Sequence, residues 1–286
     1  VEIVEYEDYT TLKYKISDHN LDTFEIEIPR DIYYWYVVHP VIGWEAPMYV
    51  DPKASDPSHT GEGEAPPPKG YFWRKYYFIY PDTVVRTVIS DNGTDTIEAG
   101  YVCTPLRDLL SGEKIVWAMK RDTIEGNGAI GRLTKWVQDV MVFNSGFERP
   151  WQPVRVYHLH MGRCGEHGHI TAAAARTALI PCAYILTYAN DHVWNEFFLD
   201  KWYQWEPVNT YIDDPTHYDN WWGGKTVIPF AFRGDGNIFD VTDRYTPYSI
   251  LSIFVADKKG HPLDGAKVVI SGKTDGFSLI SSWRYT

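Results

Sequence analysis

The sequence predicts an α+β protein, because two kinds of apolar pattern follow each other along the chain. Apolar and polar residues alternate near both ends, which is typical of strands with one buried face. In the middle, apolar residues recur at helical spacing and a run of alanines follows. We therefore expect a β-rich N-terminal region over residues 1–128, a mixed core over residues 129–245 and a partial β-sandwich over residues 246–286.

Length and composition place the chain among globular proteins that bury a core without disulfide help. It has 286 residues, of which 44% are hydrophobic and 23% are charged. Its net charge of −11 would repel phosphate backbones, so we expect no nucleic-acid partner. No apolar run approaches the roughly 20 residues that a membrane-spanning helix needs. The aromatic share of 16% predicts either ring-filled cores or a surface that stacks on sugars or peptides.

Most of the N-terminal region is predicted to form strands. Leu12, Tyr14 and Ile16 alternate with polar residues, and residues 24–28 repeat the pattern. Residues 51–70 contain no large apolar residue, so we expect an exposed loop there within the β region. The further strands are predicted at residues 33–38, 71–80, 83–89 and 94–103.

Two helices and three strands are predicted in the core. Ile130, Leu133 and Val137 share one face of the first helix. Alanines fill the second helix, over residues 164–179, and Pro181 ends it. The strands that follow are predicted at residues 182–189, 192–199 and 202–205, and those of the C-terminal region at residues 249–256, 266–271 and 277–283.

Three core residues have the chemistry and the order of a thiol catalyst: Cys164 at a helix start, His192 at a strand start and Glu206 on the next strand. A helix N-terminus favours a thiolate, and a neighbouring imidazole favours it further. A carboxylate fixes the tautomer of the imidazole and stabilises its cation. We expect the histidine and the glutamate on one face of two antiparallel strands, with the cysteine-bearing helix across that face. The other cysteines, Cys103 and Cys182, are predicted to be buried.

These motifs resemble the transglutaminase-like superfamily of papain-related thiol enzymes, and within it they are most similar to the peptide:N-glycanases. The resemblance covers roughly residues 129–215. It implies a papain-like core with Cys164 as nucleophile, His192 as base and acid, and Glu206 in a position where the family usually has Asp. The motifs that carry it are Gly162-Arg163-Cys164-Gly165-Glu166, Leu179-Ile180-Pro181, Asp191-His192-Val193-Trp194 with Glu196, and Trp202-Tyr203-Gln204-Trp205-Glu206-Pro207.

Two departures from this family leave alternatives open. Glu206 is one methylene longer than Asp, so Asp213 or Asp214 is an alternative third member. The zinc-binding cysteine pairs of the peptide:N-glycanases have no counterpart in this sequence, which weakens de-N-glycosylation relative to other reactions of the superfamily.

The oxyanion of such a reaction needs hydrogen-bond donors. The backbone N–H of Cys164 is one, and we expect the second from Gln152, with Trp151 as the alternative. Either residue could instead be structural, Trp151 in packing and Gln152 in a loop. Four residues are candidates for lining the substrate cleft, although core packing is an equal alternative for the Trp-Trp pair: His167, Trp194, Trp221 and Trp222.

A histidine-rich stretch around Cys164 could suggest a metal site, but we predict no metal and no other cofactor. The sequence has no His-Glu-x-x-His motif, and Cys164 cannot easily be both ligand and nucleophile. We expect the cleft to be lined by this stretch, which contains His158, His160, His167 and His169.

The expected function is hydrolysis of an amide or peptide bond in a protein, peptide or glycopeptide. The alternatives are an N-glycan amidase, a protein-glutamine transamidase, or a non-catalytic peptide- or carbohydrate-binding module that kept the fold. Residues 257–276 resemble carboxypeptidase-regulatory-like or Ig-type β modules. That resemblance implies an extracytoplasmic location, meaning secreted, periplasmic or on the cell surface.

Overall fold

An antiparallel sheet of six strands lies at the centre of the computed structural model. Around it lie helices, a three-stranded sheet and several two-stranded pairings. No helix in the described part of the chain is both long enough and apolar enough to cross a membrane. The structure describes residues 1–46, 50, 70–84, 88–91, 93, 96–120, 124–146, 149–187, 191–221, 227–249, 251–274 and 277–285.

The N-terminal region begins with the predicted alternating strands. Leu12, Tyr14 and Ile16 are buried, which confirms the alternation. The bounds are β1 Glu2–Glu5, β2 Thr10–Ser17, β3 Thr23–Glu27, α1 Arg30–Tyr33, a π-helical turn Tyr34–Val38, α2 Trp73–Ile79, β4 Asp82–Thr83, β5 Val88–Ile89, β6 Thr96–Ile97, β7 Val102–Cys103 and α3 Leu106–Leu109. The predicted exposed loop at residues 51–70 lies outside the described residues, except for Gly70.

Two of the predicted strands are wrong, because residues 33–38 are helical and residues 73–79 of the stretch 71–80 are helical too. Aromatic and β-branched residues favour strands on average, but packing decides the outcome here. Trp73, Tyr76 and Tyr77 are buried together, at the i, i+3, i+4 spacing of one helix face. The stretch therefore presents three rings to one core, which a strand of alternating faces could not do.

The core contains the predicted helices and strands in the predicted order. Ile130, Leu133 and Val137 are buried along the first of these helices. The sheet order is β13-β12-β11-β10-β14-β15, with every neighbouring pair antiparallel. The bounds are α4 Gly128–Val140, β8 Val142–Phe143, α5 Pro153–Leu159, β9 Met161–Gly162, α6 Cys164–Thr177, β10 Cys182–Thr187, β11 His192–Phe198, β12 Trp202–Glu206, β13 Tyr211–Ile212, α7 His217–Trp221, β14 Pro229–Phe232, β15 Ile238–Asp240 and a 3₁₀ turn Thr242–Arg244.

Helix α6 packs closely on the sheet because a glycine lies where the helix meets β11. A Cβ on Gly168 would lie 2.6 Å from the side chain of Val193, so a larger residue would push the helix away. The Asn195 amide donates to the Gly168 carbonyl oxygen at 3.0 Å. Alanines 172–175 are fully buried beyond this contact. The small residues therefore fix the height of the helix above β11, and with it the position of the residues at the helix start.

The C-terminal region contains a hairpin, β16 Lys267–Thr274 and β17 Phe277–Tyr285. These strands confirm two of the three predicted there. The prediction of a strand at residues 249–256 is wrong for the described residues, where only Ala256 forms a bridge, to Pro262. Phe254 is 73% exposed, so this apolar run lacks the buried face that would favour a strand.

Candidate active site

Cys164 is the first residue of α6, and its neighbours hold the helix start in place. The Arg163 backbone N–H donates to Glu166 Oε2 at 2.8 Å, so the glutamate of the first turn ties the residue before the helix to it. Cys164 is partly exposed, whereas Cys103 and Cys182 are buried. The helix start therefore offers one accessible sulfur to solvent.

His192 and Glu206 form a short, buried pair on adjacent strands. Nε2 of His192 lies 2.5 Å from Oε2 of Glu206. Both side chains are less than a tenth exposed. Asp214 instead lies 3.6 Å from His217, so the structure pairs His192 with Glu206 rather than with that alternative. Asp213 lines a different pocket, beside Glu196 and Trp202.

The imidazole of His192 and the Cys164 sulfur line the same cleft, close enough for the two groups to interact. Since Nε2 faces Glu206, Nδ1 is the nitrogen left for the sulfur. Burial lowers the pKa of His192, but the charge of Glu206 and the hydrogen bond to Cys164 outweigh it and raise the pKa to about 9. At neutral pH the ring is therefore an imidazolium beside the sulfur.

The three groups meet differently from the predicted arrangement. Helix α6 contacts the sheet face that bears Val193 and Asn195. Successive side chains of a strand point to opposite faces, so His192 and Trp194 lie on the other face. There the His192 ring lies 5.9 Å from the ring of Tyr218. The expectation that the helix lies across the His192–Glu206 face is therefore wrong. Cys164 instead meets His192 at the first residue of β11.

The predicted second oxyanion donor is not brought to the site. The Gln152 amide is buried and donates to the backbone oxygen of Ala46 at 2.5 Å. Trp151 packs edge-on against Trp44, with ring centroids 5.0 Å apart. Neither Gln152 nor Trp151 is among the described residues that line the cleft at Cys164.

Arg149 is a cleft residue that the sequence interpretation missed. Its Nε donates to Glu166 Oε1 at 2.5 Å, which holds the guanidinium beside the start of α6. Burial lowers the pKa of Arg149, but the hydrogen bond and charge of Glu166, together with nearby Cys164, raise it overall. Arg149 belongs to no motif; its sequence position, shortly before Cys164, is the one signal that could have identified it.

Cys164 and His192 open into a cleft of about 1050 Å³. His167 lines this cleft, as predicted, and its Nδ1 donates to the Arg163 carbonyl oxygen at 2.8 Å. Trp194 is instead buried behind His192, where it stacks on Tyr218. The charged residues that line the cleft are Asp91, Lys135, Asp139, Arg149, Arg163 and Asp191.

Two of the predicted cleft residues cannot be located in it. Trp221 is the last residue of α7, and its side chain lies outside the described residues. Trp222 lies outside them altogether.

The histidines near Cys164 have separate structural partners. Nδ1 of His169 lies 3.1 Å from the Gly165 oxygen. His158 contacts Asp82, and His160 contacts the Val140 oxygen. Of these and His167, only His167 lines the cleft. Within the described ranges, no group of three or more His, Cys, Asp or Glu side chains is placed to hold a metal ion.

A thiol at a helix start, a buried imidazole and a carboxylate on adjacent antiparallel strands are the features of a papain-like cysteine enzyme. The family model of the transglutaminase-like superfamily matches residues 116–210, which contain all three groups. This part of the chain is a transglutaminase-like domain.

The core is also similar to proteins named peptide-N(4)-(N-acetyl-beta-glucosaminyl)asparagine amidase. The human protein is 30% identical over 111 residues, which are 38% of this chain and 17% of that protein. The Debaryomyces hansenii protein is 34% identical over 104 residues, or 35% of this chain and 28% of that protein. The Caenorhabditis briggsae protein is 28% identical over 187 residues, or 57% of this chain and 31% of that protein. The chain thus spans less than a third of these relatives.

Proposed function

We propose that the protein hydrolyses an amide or peptide bond with a Cys164–His192–Glu206 triad. The observation that carries this proposal is the short contact between the His192 ring and Glu206, beside a partly exposed Cys164 that lines the same cleft as His192. A buried carboxylate that raises the pKa of a histidine beside a thiol has a direct use in thiol catalysis.

In the proposed reaction the Cys164 thiolate attacks the carbonyl carbon of the substrate. The His192 imidazolium gives its proton to the leaving amine as the C–N bond breaks, which leaves an acyl-enzyme thioester. Water, deprotonated by His192, then attacks the thioester and releases the acid and the thiolate. One amide and one water become one acid and one amine, so the enzyme returns to its starting state.

We assign the oxyanion donors to the backbone N–H of Cys164 and to the guanidinium of Arg149. The Glu166 carboxylate occupies Nε of Arg149, so the two terminal nitrogens are the groups that can face the cleft. A guanidinium held in advance stabilises developing negative charge without reorganisation during the reaction. This assignment replaces Gln152, whose amide is engaged by Ala46.

The similarity to the asparagine amidases favours a second candidate reaction, hydrolysis of the amide that joins a glycan to an asparagine side chain. The triad would act in the same way, with a glycosylamine as the leaving group and aspartate as the peptide product. Transfer of the acyl group to an amine instead of water is a third outcome of the same acyl-enzyme. A binding module that retains the fold without turnover remains the candidate of another class.

A single experiment separates these reactions. The protein is incubated with a library of peptides and glycopeptides, with and without a primary amine, and the products are read by mass spectrometry. New peptide termini identify a protease, conversion of glycosylated Asn to Asp identifies a glycan amidase, and amine adducts identify a transferase. Cys164→Ala is the control, because every enzymatic product should disappear with it. No product from the wild type, together with binding of a library member, would contradict the hydrolase and favour the binding module.

A further inference from the structure

A hydrogen-bonded chain of two residues lies behind the triad. The hydroxyl of Tyr218, from α7, lies 3.4 Å from Glu206 Oε2, the same oxygen that faces His192. On its other side this hydroxyl accepts a hydrogen bond from Nε2 of Gln204 at 2.9 Å. The orientation of the Gln204 amide is fixed, because its oxygen accepts the Asp214 backbone N–H at 3.1 Å. The hydrogen of the phenol is therefore directed at Glu206.

Packing holds the Tyr218 ring in this position. The ring is 1% exposed and stacks on Trp194, with centroids 4.3 Å apart and planes 24° apart. Trp194 is anchored in turn, since its indole N–H donates to the Tyr245 hydroxyl at 2.8 Å. A ring fixed by this stack carries its hydroxyl on a rigid arm.

The Glu206 carboxylate needs such a contact. A glutamate side chain has three rotatable bonds, and Glu206 is 1% exposed. Within the described part of the chain its Oε1 has no hydrogen-bond partner, so the carboxylate is held through Oε2 alone. His192 and Tyr218 are the two groups on that oxygen. If Tyr218 were absent, the contact with His192 alone would have to fix the carboxylate.

We propose that Tyr218 is a positioning residue for the triad: its hydroxyl, aligned by Gln204, fixes the Glu206 carboxylate against Nε2 of His192. This role rests on the proposed thiol chemistry, because it acts on the thiolate–imidazolium pair. Tyr218 itself contacts neither the substrate nor the sulfur. If its hydrogen bond is removed, the Glu206 carboxylate should stabilise the imidazolium less, and the thiolate fraction of Cys164 at acidic pH should fall.

The test compares Tyr218→Phe with Tyr76→Phe. Tyr76 is a matched control, because it is a buried tyrosine of a different core cluster whose hydroxyl donates to a different buried carboxylate, Asp82, at 2.9 Å. Alkylation of Cys164 by iodoacetamide is measured at pH 6 and pH 9 in both variants. This readout needs no substrate, so it remains valid even if the proposed hydrolase activity is not found.

Tyr218→Phe should lower the ratio of the pH 6 rate to the pH 9 rate several-fold, and Tyr76→Phe should leave it at the wild-type value. Where turnover is available, Tyr218→Phe should also lower kcat about tenfold with KM unchanged, less than the ~10² that displacement of a catalytic group can cause. A wild-type ratio in folded Tyr218→Phe, or an equal fall in both variants, would overturn the proposal.

A second variant covers the case in which Tyr218→Phe does not fold. Gln204→Leu removes the group that aligns the phenol but leaves Tyr218 and Glu206 in place. The proposal expects a smaller fall in the same ratio. A wild-type ratio in Gln204→Leu, with a circular dichroism spectrum equal to that of the wild type, would overturn it.

Discussion

Two cysteine–histidine pairs lie among the described residues, and their surroundings differ. Cys103 lies 3.9 Å from Nδ1 of His160, in the core beside α5. Cys164 contacts His192 at the cleft. The two pairs have the same side chains, so differences in their reactivity must arise from their surroundings.

The thiol of the core pair stays protonated for two physical reasons. Burial, together with the nearby charge of Asp82, raises the pKa of the Cys103 thiol to about 12. Nδ1 of His160 also lies 2.9 Å from the Val140 carbonyl oxygen, and a carbonyl only accepts, so this nitrogen carries a hydrogen and cannot take the proton of the thiol. Contact between a thiol and an imidazole is therefore not sufficient for a nucleophile.

The cleft pair differs in each of these respects. Cys164 is at a helix start and partly exposed, and Nε2 of His192 contacts the Glu206 carboxylate. Three features therefore distinguish a reactive pair from a structural one: access, a helix N-terminus and a carboxylate behind the ring. Each can be removed separately.

The largest effect is expected from the cysteines themselves. Cys164→Ala should remove all turnover, a fall of at least about 10⁴ in kcat. Cys103→Ser should keep turnover, because its sulfur is closed off from the cleft. The substrate identified in the library serves for both assays. Loss of turnover in folded Cys103→Ser, with activity kept in Cys164→Ala, would reverse the assignment of the two pairs.

Removing the carboxylate behind the ring should have the next largest effect. Glu206→Gln keeps the shape but removes the charge that stabilises the imidazolium, and kcat should fall on the order of 10²–10³. Glu206→Asp should also be slower than the wild type, because the shorter side chain cannot span the 2.5 Å contact without movement of β12. Steady-state kinetics measure both. Wild-type kcat in both variants would show that Glu206 has no catalytic role.

The guanidinium of Arg149 should raise kcat by a factor of about 10², as single oxyanion donors do. Arg149→Met should lower kcat by this factor and should slow the alkylation of Cys164 less, since alkylation forms no oxyanion and loses only the positive charge near the sulfur. Arg107→Met is the matched control, because Arg107 is an exposed arginine paired with Asp108 at 3.1 Å. Equal kcat values in the two variants would remove Arg149 from the proposed mechanism.

The pH dependence of stability should also distinguish the cleft pair. The pKa of His192 is raised from 6.5 to about 9 on folding, so the folded state binds the proton more tightly than the unfolded chain. The stabilisation from this site is complete below about pH 6.5 and is lost as the pH rises through about 9. The urea midpoint of the wild type should therefore fall over this range more steeply than that of His192→Gln. Parallel curves would contradict the raised pKa.

The smallest effect is expected on the stability of the core pair. Cys103→Ser places a hydroxyl where the surroundings suit a thiol, and it should lower the free energy of unfolding by about 1–3 kcal/mol. Urea denaturation at pH 7 measures this change. A value equal to that of the wild type would show that the core tolerates the hydroxyl.

The parts of the fold that the sequence predicts are those with a local signal. The alanine content predicts α6 and therefore the position of Cys164 at the start of a helix. The apolar run after residue 191 predicts β11 and therefore the position of His192 at the start of a strand. Residues 71–80 were misassigned because aromatic residues suit both strands and buried helices, and their partners in the core decide between them.

Site residues that depend on tertiary contacts could not be predicted in the same way. Tyr218 becomes relevant through its contact with Glu206, from a different element. Gln152 was assigned to the oxyanion because it precedes Cys164, but its amide is held by Ala46, 106 positions earlier in the chain. A partner that far away leaves no pattern in the neighbouring sequence.

We propose that its surroundings, rather than its contact with a histidine, make Cys164 the nucleophile. Alkylation of the native protein with iodoacetamide at pH 6, resolved by mass spectrometry for each of the three cysteines, tests it most directly. We predict that Cys164 is modified at pH 6 at a rate comparable to that at pH 8, while Cys103 and Cys182 react only after unfolding. Modification of Cys103 as fast as Cys164, or a Cys164 that is inert at pH 6, would contradict the account.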